Sequence, residues 1–280
     1  MTQFGNPESR AAPVVIQPRD PYFEDVIRLA EQEHLGIELV HLAHPGVLST
    51  LTHDELDALA VSMRKVPGPV HVHGAFFDLY VHSPDPDVAA IARLRVQQSV
   101  AAAERVGAEL VVFHTNFLPC TTLPEYTEWW LEANIPFWEA VAAGTDVPIL
   151  IENMWDPDPH LLLALTDAVP EIGICLDIGH AHVFGDVPLA EWFSELSGRI
   201  RYLHVSDNDG TTDSGGPPGD GDVDWRAFTA LAAAHTPKVP VMVGVDGGYA
   251  GVTEALRRMN ERGIHPFPVP EAPTGKEMPR

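Results

Sequence analysis

GICLDIGHAHVFGD, residues 173–186, opens as a short apolar strand (Ile174, Cys175, Leu176) and runs directly into a carboxylate, Asp177, and an imidazole, His180. In a parallel β/α barrel the chemistry collects at the carboxyl ends of the strands. An apolar run that stops in polar, metal-competent side chains is how one such strand reads. Taken alone, the Asp-x-x-His pair fits an Asp N-cap followed by a surface histidine equally well. Its weight depends on whether other strands end the same way.

Outward from this stretch, short apolar runs alternate with amphipathic ones along the chain. Strands are expected at Val14–Gln17, Ile37–Leu42, Val70–His73, Leu110–His114, Pro148–Glu152, Ile174–Asp177, Ile200–Val205 and Val239–Val245. Helices are expected at Pro21–Glu33, His53–Arg64, Asp85–Val106, Tyr126–Ala143, Pro159–Ala168, Leu189–Leu196, Asp224–Ala234 and Thr253–Arg262. Such alternation indicates parallel architecture, and eight units in about 250 residues predict an α/β fold of the (β/α)8 TIM barrel type, in a single domain. An open doubly wound sheet is the alternative, but no G-x-G-x-x-G follows the first strand. Residues 1–12 are polar, start no periodic pattern and are expected to be flexible; the barrel is expected over 13–264. The proline-rich segment 265–280 (HPFPVPEAPTGKEMPR) is expected to run as an irregular tail.

Composition narrows the class. The chain of 280 residues is 45% hydrophobic, enough for a substantial core. No apolar run approaches the roughly 20 residues of a membrane span and no signal peptide is visible, so a cytoplasmic location is expected. Cys120 and Cys175 lie in unlike contexts, a loop and a strand, which argues against a disulfide framework. Forty acids against seventeen bases give a formal charge of −23, and the lysines are only Lys65, Lys238 and Lys276. Such a surface repels phosphate backbones and anionic lipid; an acid-rich surface adapted to high salt gives the same balance.

The strand ends carry the chemistry. HVHG places His71 and His73 on one face by period two. VVFHT gives His114, ILIEN gives Glu152, and YLHVSDND gives His204 and Asp207. One buried histidine on a strand is ordinarily a hydrogen-bonded core residue. Five successive strands ending in His, Glu or Asp are hard to obtain from packing, because burying several ionisable groups without a compensating ion is costly. Mixed imidazole and carboxylate ligands suit Zn²⁺, Mn²⁺ or Co²⁺.

The stretches HGAFFDL, VVFHTN, ILIEN, CLDIGHAH, LHVSDNDG and PPGDGDVDW, in this order and within Val14 to Arg262, resemble the xylose isomerase-like TIM barrels. That superfamily includes sugar phosphate isomerases and epimerases, inosose dehydratases and endonuclease IV-type AP endonucleases. The resemblance implies a divalent metal held by Glu152, Asp177, His204, His180, His73, His114 and Asp213. Two positions depart from the family pattern. Gly215 stands where the family's D-x-H segment has its histidine, and Gly244 stands where the eighth strand has a glutamate that serves as metal ligand and acid/base. Asp246, two residues on, is expected to replace that glutamate, or a water does; otherwise the site has lost activity.

The implied reaction is sugar, sugar phosphate or polyol isomerisation or epimerisation by proton transfer through a metal-stabilised enediolate. Glu152, Asp246 and His180 are the expected catalytic residues. His73, Phe76, His114, Trp155 and Asp207 are expected to contact substrate. Other roles compete for two of these. Glu152 can be a buried partner of His114 or His204, and Asp207 can cap the loop that follows it. Only one base, Arg19, lies in the expected top loops, which disfavours a nucleic acid and an AP endonuclease activity. An inosose dehydratase-like lyase is the other alternative. A small polyhydroxy substrate, no membrane and a homo-oligomer are the expected partners.

Overall fold

The computed structural model describes residues 3–19, 21–77 and 79–270; Met1, Thr2, Asp20, Asp78 and the 271–280 part of the expected tail lie outside the described residues. Eight strands, β1 (Val14–Ile16), β2 (Gly36–Leu39), β3 (Val70–His73), β4 (Leu110–His114), β5 (Ile149–Glu152), β6 (Gly173–Asp177), β7 (Ile200–Val205) and β8 (Val241–Val243), close in sequence order into a barrel. Every pairing is parallel, and β8 returns to β1 with Val14 opposite Val241.

Among the described residues, ten helices accompany the strands: α1 (Phe23–Glu33), α2 (Pro45–Leu48), α3 (His53–Met63), α4 (Pro86–Val106), α5 (Tyr126–Ala143), α6 (His160–Ala168), α7 (Ile178–Val183), α8 (Leu189–Glu195), α9 (Trp225–His235) and α10 (Gly248–Arg262). Their ends follow local chemistry. Thr52 and Glu55 form a capping box at the start of α3. Asp85 caps α4 with Pro86 in its first turn, and Gly107, at φ 73°, ends it in the left-handed region that favours glycine. None of the helices among the described residues is long and apolar enough to cross a membrane.

The layers of the barrel interior position the site. The lower interior is apolar, with Val15, Leu110, Val112, Leu150, Cys175, Tyr202 and Met242 in one buried cluster. Because side chains alternate along a strand, the interior residues two positions further along are His114 after Val112, Glu152 after Leu150, Asp177 after Cys175 and His204 after Tyr202. The lining therefore turns from apolar to ionisable within one step of the pleat, on four neighbouring strands at once. The larger core packs the outer strand faces against the helices, as with Val111, Phe113, Ile151, Leu176 and Leu203.

The expected strands and principal helices are all present, with ends shifted by a few residues. The second strand stops at Leu39, and His41–Ala43 is a short 3₁₀ turn. The stretch after Asp177, expected as a loop, forms α7. The start of the chain is fastened over its described part, in contrast to the flexibility expected for residues 1–12. Phe4 is buried, the Gln3 and Phe4 amides donate to the Glu33 carboxylate at 2.8 and 3.1 Å, and the Ala11 amide donates to the Pro266 carbonyl. The first residues of the expected tail pack as well, with His265 and Phe267 buried.

Candidate active site

At the carboxyl end of the barrel a cavity of about 280 Å³ opens, lined among others by His73, Phe76, His114, Glu152, Met154, Asp177, His180, His204 and Asp213. Glu152 is its centre. Oε2 faces His73 Nε2 at 3.4 Å and His114 Nε2 at 3.6 Å; Oε1 faces His204 Nδ1 at 3.3 Å and His180 Nδ1 at 3.4 Å. One carboxylate oxygen thus looks at each pair of histidines. Asp177 Oδ2 lies 3.8 Å from His204 Nδ1, and Asp213 Oδ2 lies 3.4 Å from His180 Nε2.

Backbone contacts orient two of the imidazoles. His180 Nδ1 is 2.9 Å from the Asn153 carbonyl and His73 Nδ1 is 2.9 Å from the Gly74 carbonyl. A carbonyl can only accept, so in each ring Nδ1 carries the hydrogen. A neutral ring then presents a bare Nε2 to the cavity. Asp177 serves twice. Its Oδ1 caps α7 by accepting from the His180 amide at 2.7 Å, while its other oxygen faces the cavity. Asp177 is thus the cap that one reading of Asp177-x-x-His180 expects, but His180 is buried beside the cavity and is not a surface histidine. Asn153 locks this corner, accepting from the Asp177 amide and donating to its carbonyl.

The electrostatics are those of an ion site carrying protons instead. Burial pushes the Glu152 carboxyl up, but His204 and His114 outweigh it and hold the group well below the usual carboxylate range. Burial lowers His180 and His204, yet Asp177 and Asp213 raise the first, and Cys175, Glu152 and Glu38 the second, well above the ordinary imidazole value. His114, where burial prevails, is lowered to about 4, and buried Asp177 is raised to about 6. Three sets of groups, His73–His114–Glu152, Glu152–Asp177–His180 and Glu152–Cys175–His204, each bring their ligand atoms within 4.8 Å of one another. Glu152 Oε2 is buried with no hydrogen-bond partner. An orphaned buried carboxylate oxygen among imidazole nitrogens fits a divalent cation of the Zn²⁺, Mn²⁺ or Co²⁺ kind.

Not every expected residue joins this cluster. Asp246 stands at the cavity rim, mostly exposed, and pairs with Arg19 at 2.5 Å, so it does not take the missing glutamate's place among the ligands. That place is filled otherwise: a Cβ on Gly244 would stand 2.9 Å from the Met242 methyl and 3.3 Å from Gln17 Nε2. At Gly215, φ is +57°, a conformation that disfavours the family's histidine, and the nearest group is the Asp246 carboxylate. Asp207, expected to contact substrate, is instead a structural carboxylate. It is fully buried and accepts from the Asn208, Gly219 and Val223 amides and from Trp225 Nε1. Trp155 is half-buried and its neighbour Met154 lines the cavity in its stead. Phe76 lines it, its ring 5.4 Å from that of His114 and 5.7 Å from that of His73.

One residue of the constellation was not anticipated. Glu38, in the middle of β2, is fully buried inside the barrel and lies 3.0 Å from His204 Nε2. The only signal in the sequence is an acid between two apolar residues of a short strand, GIEL.

Comparison with known proteins agrees with this fold. The model of one family, described as xylose isomerase-like TIM barrel, matches residues 28–262. Among solved structures, the TTHB071 protein from Thermus thermophilus, from a crystal soaked with ZnCl2, is 26% identical with a TM-score of 0.69, over 88% of this chain and 97% of that one. A D-tagatose 3-epimerase-like protein is 20% identical with a TM-score of 0.72, over 86% and 94%. D-psicose 3-epimerase from Clostridium cellulolyticum H10, solved with D-tagatose, is 13% identical with a TM-score of 0.66, over 90% and 93%. No curated protein sequence matches.

Proposed function

The chain belongs to the xylose isomerase-like TIM barrel family, and on that premise we propose that it is a metal-dependent isomerase of a small polyhydroxy carbonyl compound, working with one carboxylate, Glu152. The observation that carries this reading is the pairing of a central, buried Glu152 with a glycine at 244. Inverting a carbon by proton transfer takes one acid/base group on each face of the substrate. Moving a proton between adjacent carbons on a single face takes one group, as for the single glutamate base of triosephosphate isomerase. With Asp246 held at the rim by Arg19, the geometry favours isomerisation over epimerisation.

Glu152, Asp177 and His204 would hold the cation, with His73 and His114 on the far side of Glu152. When bound, it supplies Lewis-acid polarisation of the substrate carbonyl and the neighbouring hydroxyl. The chain's own groups do the rest. Glu152 takes the proton from one carbon and returns it to its neighbour on the same face, while the hydroxyl proton passes to the former carbonyl oxygen. Asp213 and His180 present a hydrogen-bonding pair to substrate hydroxyls, and Phe76 offers an apolar face to the C–H side of the sugar.

The test is exchange in D₂O. Protein loaded with Mn²⁺, Co²⁺ or Zn²⁺ and offered aldoses and ketoses is expected to incorporate deuterium at one carbon while interconverting the pair. Metal chelation is expected to abolish it. No exchange with any metal and sugar would sink the proposal, and a product inverted at one carbon would move it to epimerisation. The His73–His114–Glu152 set favours a second reading, hydrolysis of a phosphoester at a site with two cations. Cleavage of bis(p-nitrophenyl) phosphate by the metal-loaded protein, without deuterium exchange into sugars, would favour it.

A further inference from the structure

Glu38 occupies a position that barrel interiors ordinarily fill with a branched apolar residue. It is fully buried, its neighbour across the sheet is His71 on β3, and its Oε1 has no hydrogen-bond partner. Its Oε2 meets His204 Nε2 at 3.0 Å. A buried carboxylate is costly unless another group needs it, and no Lys, Arg or backbone donor offers it a hydrogen bond among the described residues. Its hydrogen-bond contact is with His204, and the buried Tyr202 hydroxyl is its other polar neighbour. Tyr202, two residues before His204 on β7, closes the other side, with ring centroids 4.8 Å apart at 81°.

We propose that Glu38 is a positioning residue that fixes the ring and tautomer of His204, so that Nδ1 is the ligand nitrogen of the metal centre. A carboxylate can only accept, so the Nε2 it meets must carry the hydrogen. The lone pair of the neutral ring is then on Nδ1, the nitrogen that faces Glu152 Oε1 at 3.3 Å and Asp177 Oδ2 at 3.8 Å. His73 and His180 are oriented by backbone carbonyls through Nδ1, which leaves His73 Nε2 facing Glu152 and His180 Nε2 facing Asp213. His204 is turned the other way round: its Nε2 is held by a side-chain carboxylate on β2 and its Nδ1 faces Glu152. Carboxylate partners of this kind raise the basicity of a metal-bound imidazole and hold it in place.

This inference rests on the metal-centre reading, and its experiment measures Zn²⁺ binding, not turnover. Competition titration with a chelator is expected to show Glu38→Leu binding Zn²⁺ about 10–100-fold more weakly than wild type. Glu38→Gln, whose amide oxygen still accepts from Nε2, is expected to keep most of the affinity. In the ¹⁵N spectrum of the Zn²⁺-loaded wild type, His204 is expected to show Nδ1 as the metal-bound nitrogen and a protected proton on Nε2. Equal Zn²⁺ affinities for wild type and Glu38→Leu, or a His204 ring bound through Nε2, would overturn the role of Glu38 alone. A wild type that binds no Zn²⁺ would overturn the metal centre and this role together. Should Glu38→Leu fail to fold, the wild-type spectrum and Glu38→Gln decide: affinity lost in Glu38→Gln counts against the proposal.

Discussion

At the scale of the residue, the site is a set of charges that need one another. Glu152 is the group that all four histidines face, so Glu152→Gln removes both the proton carrier and the meeting point of the ligands. A loss of roughly 10²–10⁴-fold in turnover is expected from the acid–base role alone, together with loss of deuterium exchange, read by mass spectrometry of the sugar. A pH prediction follows for the metal-free protein. His180 and His204 are raised above the ordinary 6.5 in the folded state, against the lowering effect of burial. Their contribution to stability is therefore complete below about pH 6.5 and is lost as pH climbs through the raised values. Glu152, lowered despite burial, acts at the other end: its contribution is present above 4.5 and is lost as pH falls toward the folded value. Melting of the metal-free protein is expected at lower temperature as pH rises from 7 to 9. The stabilisation by Zn²⁺ should grow over the same range, because the cation takes the place of the imidazole protons. A flat or rising metal-free melting curve between pH 7 and 9 would contradict this arrangement of charges. Most of these residues were legible because each follows an apolar run by one step of the pleat. Glu38 was not, since a single acid inside GIEL has no local signature separating a buried partner from a surface charge, and its partner is 166 positions away.

At the scale of the element, the loop between β7 and α9 is an example of a carboxylate that builds backbone instead of chemistry. Asp207 gathers three amides and an indole N–H at 2.6 to 3.2 Å, and its own backbone bridges to Gly216. The loop so folded carries Asp213 to His180. Asp207→Ala leaves four donors, three of them buried, without an acceptor. With hydrogen bonds to a charged group contributing about 1.5–3 kcal/mol each and acting as one network, a destabilisation of about 3 kcal/mol or more is expected in urea unfolding. Asp207→Asn, which keeps one acceptor oxygen, should lose less. A change within about 0.5 kcal/mol would mean that the loop is held by something else. The eight strands and the principal helices were readable from the alternation of short apolar runs with amphipathic ones. The fold-back of residues 207–225 was not, because it depends on which distant amides reach one side chain. The same holds for α7, whose six residues are too few for a periodic pattern and whose start depends on Asp177 doubling as its cap.

At the scale of the whole molecule, a formal charge of −23 over 280 residues surrounds a site whose rim offers one base, Arg19, already paired with Asp246. Self-repulsion of this size destabilises the compact state. The Debye length shrinks from about 10 Å at 0.1 M salt to about 3 Å at 1 M, so KCl screens the repulsion between surface charges before it reaches the buried ion pairs. The melting temperature is therefore expected to rise between 0.05 and 1 M KCl, measured at fixed pH and metal; a fall would mean that exposed ion pairs such as Arg28 with Asp25 outweigh the net field. The same field separates the two functional readings. An uncharged sugar diffuses into the cavity without regard to it, so kcat/KM for isomerisation is expected to be nearly independent of salt once the protein is folded. A phosphodiester approaches against it, and its kcat/KM is expected to climb as salt is added. Steady-state rates at four or five KCl concentrations distinguish the cases. A sugar turnover that rises steeply with salt, parallel to that of a polyanion, would indicate that the substrate this barrel takes is itself negatively charged.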